Sequence, residues 1–151
     1  MAIYGLQTDF LNKILTEYFG LADPTIKPLN EIYIGLGLEQ VGSNTNTEDF
    51  DEIFDGKPLG NYKRARIVFG NASEGIIFNR SDIVFSTASE DWTTDKKVAM
   101  LGLFDTPEAE DESGERVKPL VVLKLPQKES VHAGETLILT SEAVRLSLTD
   151  I

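Results

Sequence analysis

Cysteine is absent from the 151 residues, which excludes disulfides, thiolate-held zinc or iron–sulfur centres and a cysteine nucleophile. Cations are scarce: 14 Lys+Arg stand against 25 Asp+Glu, for a net charge of −11. The counterion release that drives binding to nucleic acid and to anionic lipid needs a surplus of Lys and Arg, so neither is an expected partner. Long apolar runs are missing too; none approaches the roughly 18 residues of a membrane span. The opening MAIYGLQTDF has neither the basic nor the apolar region of a signal peptide, so synthesis in a cytoplasm is the expectation. Histidine and tryptophan each occur once, as His132 and Trp92. His132 has no Ser or Asp pattern near it and precedes the turn-like Ala133-Gly134-Glu135, and no G-x-S-x-G elbow exists, so an enzyme is not expected.

What is present reads as one globular domain, with 41% hydrophobic and 26% charged residues. A chain of this size buries roughly 68–70% of the surface its unfolded form exposes, enough for a single core. The segment DFLNKILTEYFG carries Phe10, Leu11, Ile14, Leu15, Tyr18 and Phe19 at helical spacing. Thr8 or Asp9 stands where a cap belongs, Gly20 follows the last apolar position, and Asp23-Pro24 stops continuation. An N-terminal α-helix within an arm over residues 1–22 is therefore expected.

From Glu31 the period changes to two. Ile32, Ile34, Leu36 and Leu38 face one way and Tyr33, Gly35 and Gly37 the other. Tyr62 to Phe69 alternates similarly, with Ala65, Ile67 and Phe69 inward and Arg64, Arg66 and Val68 outward. Further strands are expected at Gly75 to Asn79, Asp82 to Ser86, Val98 to Phe104, Leu120 to Leu125, Thr136 to Thr140 and Val144 to Leu148, between Asn, Gly, Pro and Ser clusters. About eight strands without helical patterns between them predict a mainly β fold, an antiparallel β-sandwich or jelly-roll-like barrel with the N-terminal helix.

Two acidic insertions interrupt this pattern, over residues 42–60 and 107–119. In the first, Thr47 is placed to cap a short helical turn that would bring Phe50, Ile53 and Phe54 together. The second, PEAEDESGERVKP, has no apolar anchor and reads as a solvated, mobile excursion whose tip, Glu110 to Glu115, faces water. Glu48, Asp49, Asp51, Glu52 and Asp55 lie close together but miss the EF-hand spacing, since Phe50, Ile53 and Phe54 intervene and Gly56 comes too late. They read as a solvated surface, and no metal is expected. The string GLGLEQVG is no dinucleotide fingerprint, because its third Gly is displaced and no helix pattern follows; Gly35 and Gly37 suit close backbone approach within a sheet. Trp92 reads as a core anchor needing one partner for its N–H, the sharper alternative being an exposed ring that stacks on a sugar.

The order FLNKILTEYFG, IYIGLGL, IVFSTASEDWTT, VAMLGLFDT and HAGETLILTSEAVRLSLTD resembles a family of small tailed-bacteriophage virion proteins, often labelled tail-fibre proteins. The resemblance spans nearly the whole chain, least at the two acidic insertions, and contains no catalytic signature. It implies a non-enzymatic β-rich protein without cofactors. Some similar proteins decorate or cement capsids as homotrimers over junctions of the major capsid protein, so the implied place is the virion, on the capsid surface or the tail, and the implied partner the major capsid protein. A tail fibre that binds a host receptor, through carbohydrate for example, is the alternative. Apolar residues beyond the needs of a small sandwich put the expected contact on Ala2 to Phe19 and on the first insertion, at Phe10, Leu11, Ile14, Phe50, Ile53 and Phe54.

Overall fold

The computed structural model describes residues 3–6, 31–40, 47, 49–53, 60–70, 74 and 76–147. Nine strands are present among them: β1 (Ile3–Leu6), β2 (Ile32–Leu38), β3 (Ala65–Ile67), β4 (Ile76–Phe78), β5 (Ile83–Val84), β6 (Val98–Phe104), β7 (Val121–Glu129), β8 (Ile138–Leu139) and β9 (Arg145–Ser147). The protein is mainly β, and every strand pairing is antiparallel. One sheet has the order β1-β7-β6-β2-β3, and β4-β9 and β5-β8 form two-stranded sheets.

The central strands form where apolar residues are densest. Every residue of β6, VAMLGLF, is buried. This uninterrupted apolar run belongs to a strand covered on both faces. Leu101 and Leu103 pair with Leu36 and Ile34 and join them in the main core. On the opposite face Met100 and Val122 form a smaller cluster with Ala99 and the half-buried Phe50. β7 runs longer than the expected Leu120 to Leu125. Its Pro126 lies in the irregular stretch between the Lys124 and Glu129 pairings, where a missing N–H does least harm to the ladder.

Hydrogen bonds extend the β5-β8 pairing along the chain. Phe85 N–H donates to Leu137 O at 3.1 Å, Ala88 N–H to Glu135 O at 2.9 Å and Trp92 N–H to Val131 O at 2.9 Å. This long ladder turns Ile83, Phe85, Ala88, Trp92 and Val131 into the same core as Ile34, Leu36, Leu101 and Leu123 of the five-stranded sheet.

Three expectations change. β1 is a short edge strand within what the sequence suggests is a helical arm. Pairing with β7 holds its four residues, a long-range contact without a local signal. The Tyr62 to Phe69 strand shrinks to Ala65–Ile67, with Phe69 bridging separately to Asn79. Arg66 faces outward as expected, but Arg64 is buried, drawn in by an ion pair with Glu52. The expected helix over Phe10 to Phe19 lies outside the described residues.

Candidate functional site

The first acidic insertion returns to the sheet. β3 pairs with β2 only from Ile32 to Ile34, which leaves the second half of that edge open. Residues 51–53 fill it: Leu38 N–H donates to Asp51 O at 2.8 Å, Ile53 N–H donates to Leu36 O at 3.1 Å, and Glu52 bridges Gly37. Extended backbone here replaces the expected helical turn at Thr47. Because successive side chains of an extended segment alternate, Ile53 enters the main core while Phe50 and Glu52 cover the opposite face of the sheet. Glycine makes room for them. Gly35 and Gly102 are direct cross-strand partners, and a Cβ would lie 2.5 Å from Glu52 Oε2 at Gly35 and 2.8 Å from Phe50 Cζ at Gly102. Phe50 also meets Phe104 edge-on, with centroids 5.9 Å apart.

Glu52, 3% exposed, does not belong to a solvated acidic surface. Arg64, 5% exposed, explains why: its Nη2 donates to Glu52 Oε1 at 2.8 Å and its Nε to Oε2 at 3.1 Å. Its Nη1 donates to Thr106 O at 3.1 Å and Glu108 O at 2.6 Å, and the guanidinium carbon lies 3.4 Å from the centroid of the Phe104 ring. A planar fork with five donors suits this task; a lysine would not. Tyr62 completes the arrangement, accepting from Leu36 N–H at 2.9 Å and donating to Glu52 Oε2 at 2.6 Å. Burial, and after it the Glu52 carboxylate, push the phenol well above its ordinary value, so it stays protonated. The group is closed: carboxylate, phenol and guanidinium are all bonded to one another or to backbone. Its chemistry is holding three chain segments together, not proton transfer.

The second insertion forms a hairpin. Val117 N–H donates to Ala109 O at 2.9 Å and Asp111 N–H to Glu115 O at 2.8 Å, and Gly114 has the positive φ of 86° that closes the turn. Asp111 Oδ1 accepts from Ser113 N–H, Ser113 Oγ and Glu115 N–H, at 2.9, 2.6 and 3.0 Å. These bonds, that from Ser113 first, lower the Asp111 pKa. Residues 110–115 are exposed, and the hairpin base at Thr106 and Glu108 is the stretch that Arg64 grips.

Trp92 is 2% exposed and packs edge-on against Tyr62, with centroids 5.3 Å apart. It is a core anchor, and its ring face is not open for stacking on a sugar. Its Nε1, however, is the one buried side-chain nitrogen or oxygen without a hydrogen-bond partner among the described residues. Trp92 also lines an open cleft of about 330 Å³ with Leu38, Asp51, Asp91, Thr94, Asp95 and Lys96. His132 is exposed, its Nδ1 3.8 Å from Asp91 Oδ1. No set of three acidic or histidine side chains is grouped for a metal among the described residues.

The proposed contact residues separate. Ile53, fully buried, is unavailable to a partner. Phe50 is half-buried over the glycines of β2 and β6. Phe10, Leu11, Ile14 and Phe54 lie outside the described residues. Sequence reasoning missed the most exposed large apolar side chains among the described residues, Val84 at 57% and Ile138 at 49%. They are direct cross-strand partners on β5 and β8. Their neighbours Ile83 and Leu139 turn toward the core, so the alternation IV and IL was the available signal. Val68 and Phe78 are also exposed. No family model matches the chain, and no curated protein matches it.

Proposed function

We propose that this chain is a non-enzymatic bacteriophage virion protein that decorates or cements the capsid, binding the major capsid protein as a homotrimer over subunit junctions. The carrying observation is the Val84–Ile138 pair, two large aliphatic side chains held side by side on paired backbone and turned to solvent. Contiguous apolar surface on a strand-held frame suits attachment to a repeating lattice, because little order has to be created on binding. The resemblance in the order of apolar and turn residues supports the same reading. We further infer that the five-stranded sheet and the β5-β8 ladder form the two layers of a sandwich, since one core joins them. Phe10, Leu11, Ile14 and Phe54 remain part of the proposed contact.

Capsids lacking the protein, mixed with purified chain and pelleted, test the reading. Saturable co-sedimentation that raises capsid tolerance to heat or low salt is the expected result, lost in the Val84→Asp, Ile138→Asp double variant with its circular dichroism unchanged. Absence of binding by the wild type, with adsorption to host cells instead, sinks the capsid reading in favour of a tail fibre or receptor-binding protein.

A further inference from the structure

We propose that the cleft beside Trp92 binds a saccharide, with ligand hydroxyls on the carboxylates of Asp51, Asp91 and Asp95 and a ligand oxygen accepting the indole N–H. The proposal rests on the cleft alone and stands or falls apart from the capsid reading. Two independent observations meet there. The first is the lining: three carboxylates and one ammonium around an opening of about 330 Å³, with Leu38 and Trp92 as its apolar part. This is the lower end of the volume typical of small-molecule sites, and an apolar wall with a few polar groups is their usual make-up. The side chains of Asp51, Thr94, Asp95 and Lys96 have no hydrogen-bond or ion-pair partner among the described residues, whereas Asp91 Oδ1 already accepts from Ala133 N–H at 2.9 Å. The second is Trp92 Nε1, a buried donor without an acceptor in a residue that lines the same cleft. A buried, unbonded N–H is unfavourable, so a group that brings an acceptor to it is favoured.

The combination selects the ligand class. Carboxylates ask for donors and the indole asks for an acceptor. An ammonium group satisfies only the first, and an anion meets repulsion from the carboxylates. A hydroxyl donates and accepts at once, and a pyranose presents several beside C–H groups that fit against Leu38. Trp92 acts here through its N–H edge, its ring being held against Tyr62, and because that nitrogen is itself buried, reaching it requires a local opening of the cleft.

Trp92 is the sole tryptophan, so its emission and its single indole ¹⁵N–¹H signal report on the cleft without interference. The probes are the methyl glycosides of glucose, galactose and N-acetylglucosamine, the disaccharides maltose and lactose, and lysine amide as the cationic comparison. At least one saccharide is expected to shift both signals saturably, with a Kd of roughly millimolar order. Asp51→Asn and Asp95→Asn are each expected to weaken that binding about tenfold, while both variants unfold at the wild-type denaturant midpoint. Three outcomes overturn the proposal: no saccharide moves either signal, lysine amide alone saturates, or both Asn variants bind as the wild type does.

Discussion

The two acidic insertions have similar composition and opposite fates. In the first, Glu52 lies beneath the surface, bonded to Tyr62 and Arg64. In the second, the carboxylates of residues 110–115 stay in water and Asp111 organises a turn with backbone and serine donors. The difference lies in the neighbouring residues. Phe50 and Ile53 flank Glu52 with apolar side chains that enter opposite faces of the sheet, and the extended backbone between them carries the carboxylate under the surface toward a guanidinium. The second insertion has no apolar pair near its tip, so nothing draws its charges inward. Arg64 connects the two, holding Glu52 of one and the backbone base of the other. A buried ion pair is weak evidence of net stability, yet removing one partner strands the other.

The sharpest way to break the comparison is Arg64→Ala. It strands the Glu52 carboxylate and frees two carbonyls, and a loss of about 3–5 kcal/mol in urea unfolding is expected. A loss below about 1 kcal/mol, the range of exposed pairs, would place Glu52 with the solvated carboxylates after all. The glycine floor comes next. Gly102→Ala puts a methyl against the Phe50 and Phe104 rings, for an expected cost of about 1–3 kcal/mol, and Phe50→Ala in the same chain should recover part of it.

Tyr62 sharpens the comparison through pH. Its folded pKa lies above the unfolded value of about 10, so its contribution is complete below that pH and is lost as pH rises toward the folded pKa. Wild-type stability should therefore fall above about pH 10, and Tyr62→Phe should lose roughly 1–3 kcal/mol at neutral pH while showing a shallower alkaline decline. An unchanged alkaline slope would show that the other tyrosines cause it. Asp111→Ala has the smallest expected effect. Global unfolding should be unchanged, while the Ser113 and Glu115 amides exchange faster with solvent, because only the turn depends on that carboxylate. The lowered Asp111 pKa gives the sign: protection is present at neutral pH and lost as pH falls through the folded value.

Much of the sheet was legible in the sequence because it is written in local periodicity. Ile34 and Leu36 alternate with Gly35 and Gly37, and VAMLGLF offers no polar face, so β2 and β6 are apparent before any tertiary contact is known. β1 was not legible, since its four residues become a strand only by pairing with β7, more than a hundred residues away. The buried polar group was hidden for the same reason. Period-two reasoning turned Arg64 outward with Arg66, and nothing local announces that the first insertion returns to the same edge of β2 and brings a carboxylate within hydrogen-bond reach of it. The Trp92 anchor was legible from size and uniqueness. Its unpartnered N–H and the cleft beside it were not, because both depend on what the 91–96 turn meets in space.

By itself, the sequence determined the absence of thiol chemistry, the acidic charge that disfavours phosphate partners, and the antiparallel β character, because composition and side-chain alternation act through the chain's own local geometry. Only the tertiary structure decided which charges are buried, which glycines are occupied by a neighbouring ring, and which aliphatic residues stay exposed. Those outcomes depend on close packing and hydrogen bonding between segments far apart in sequence, where a shift of one residue exchanges core for surface.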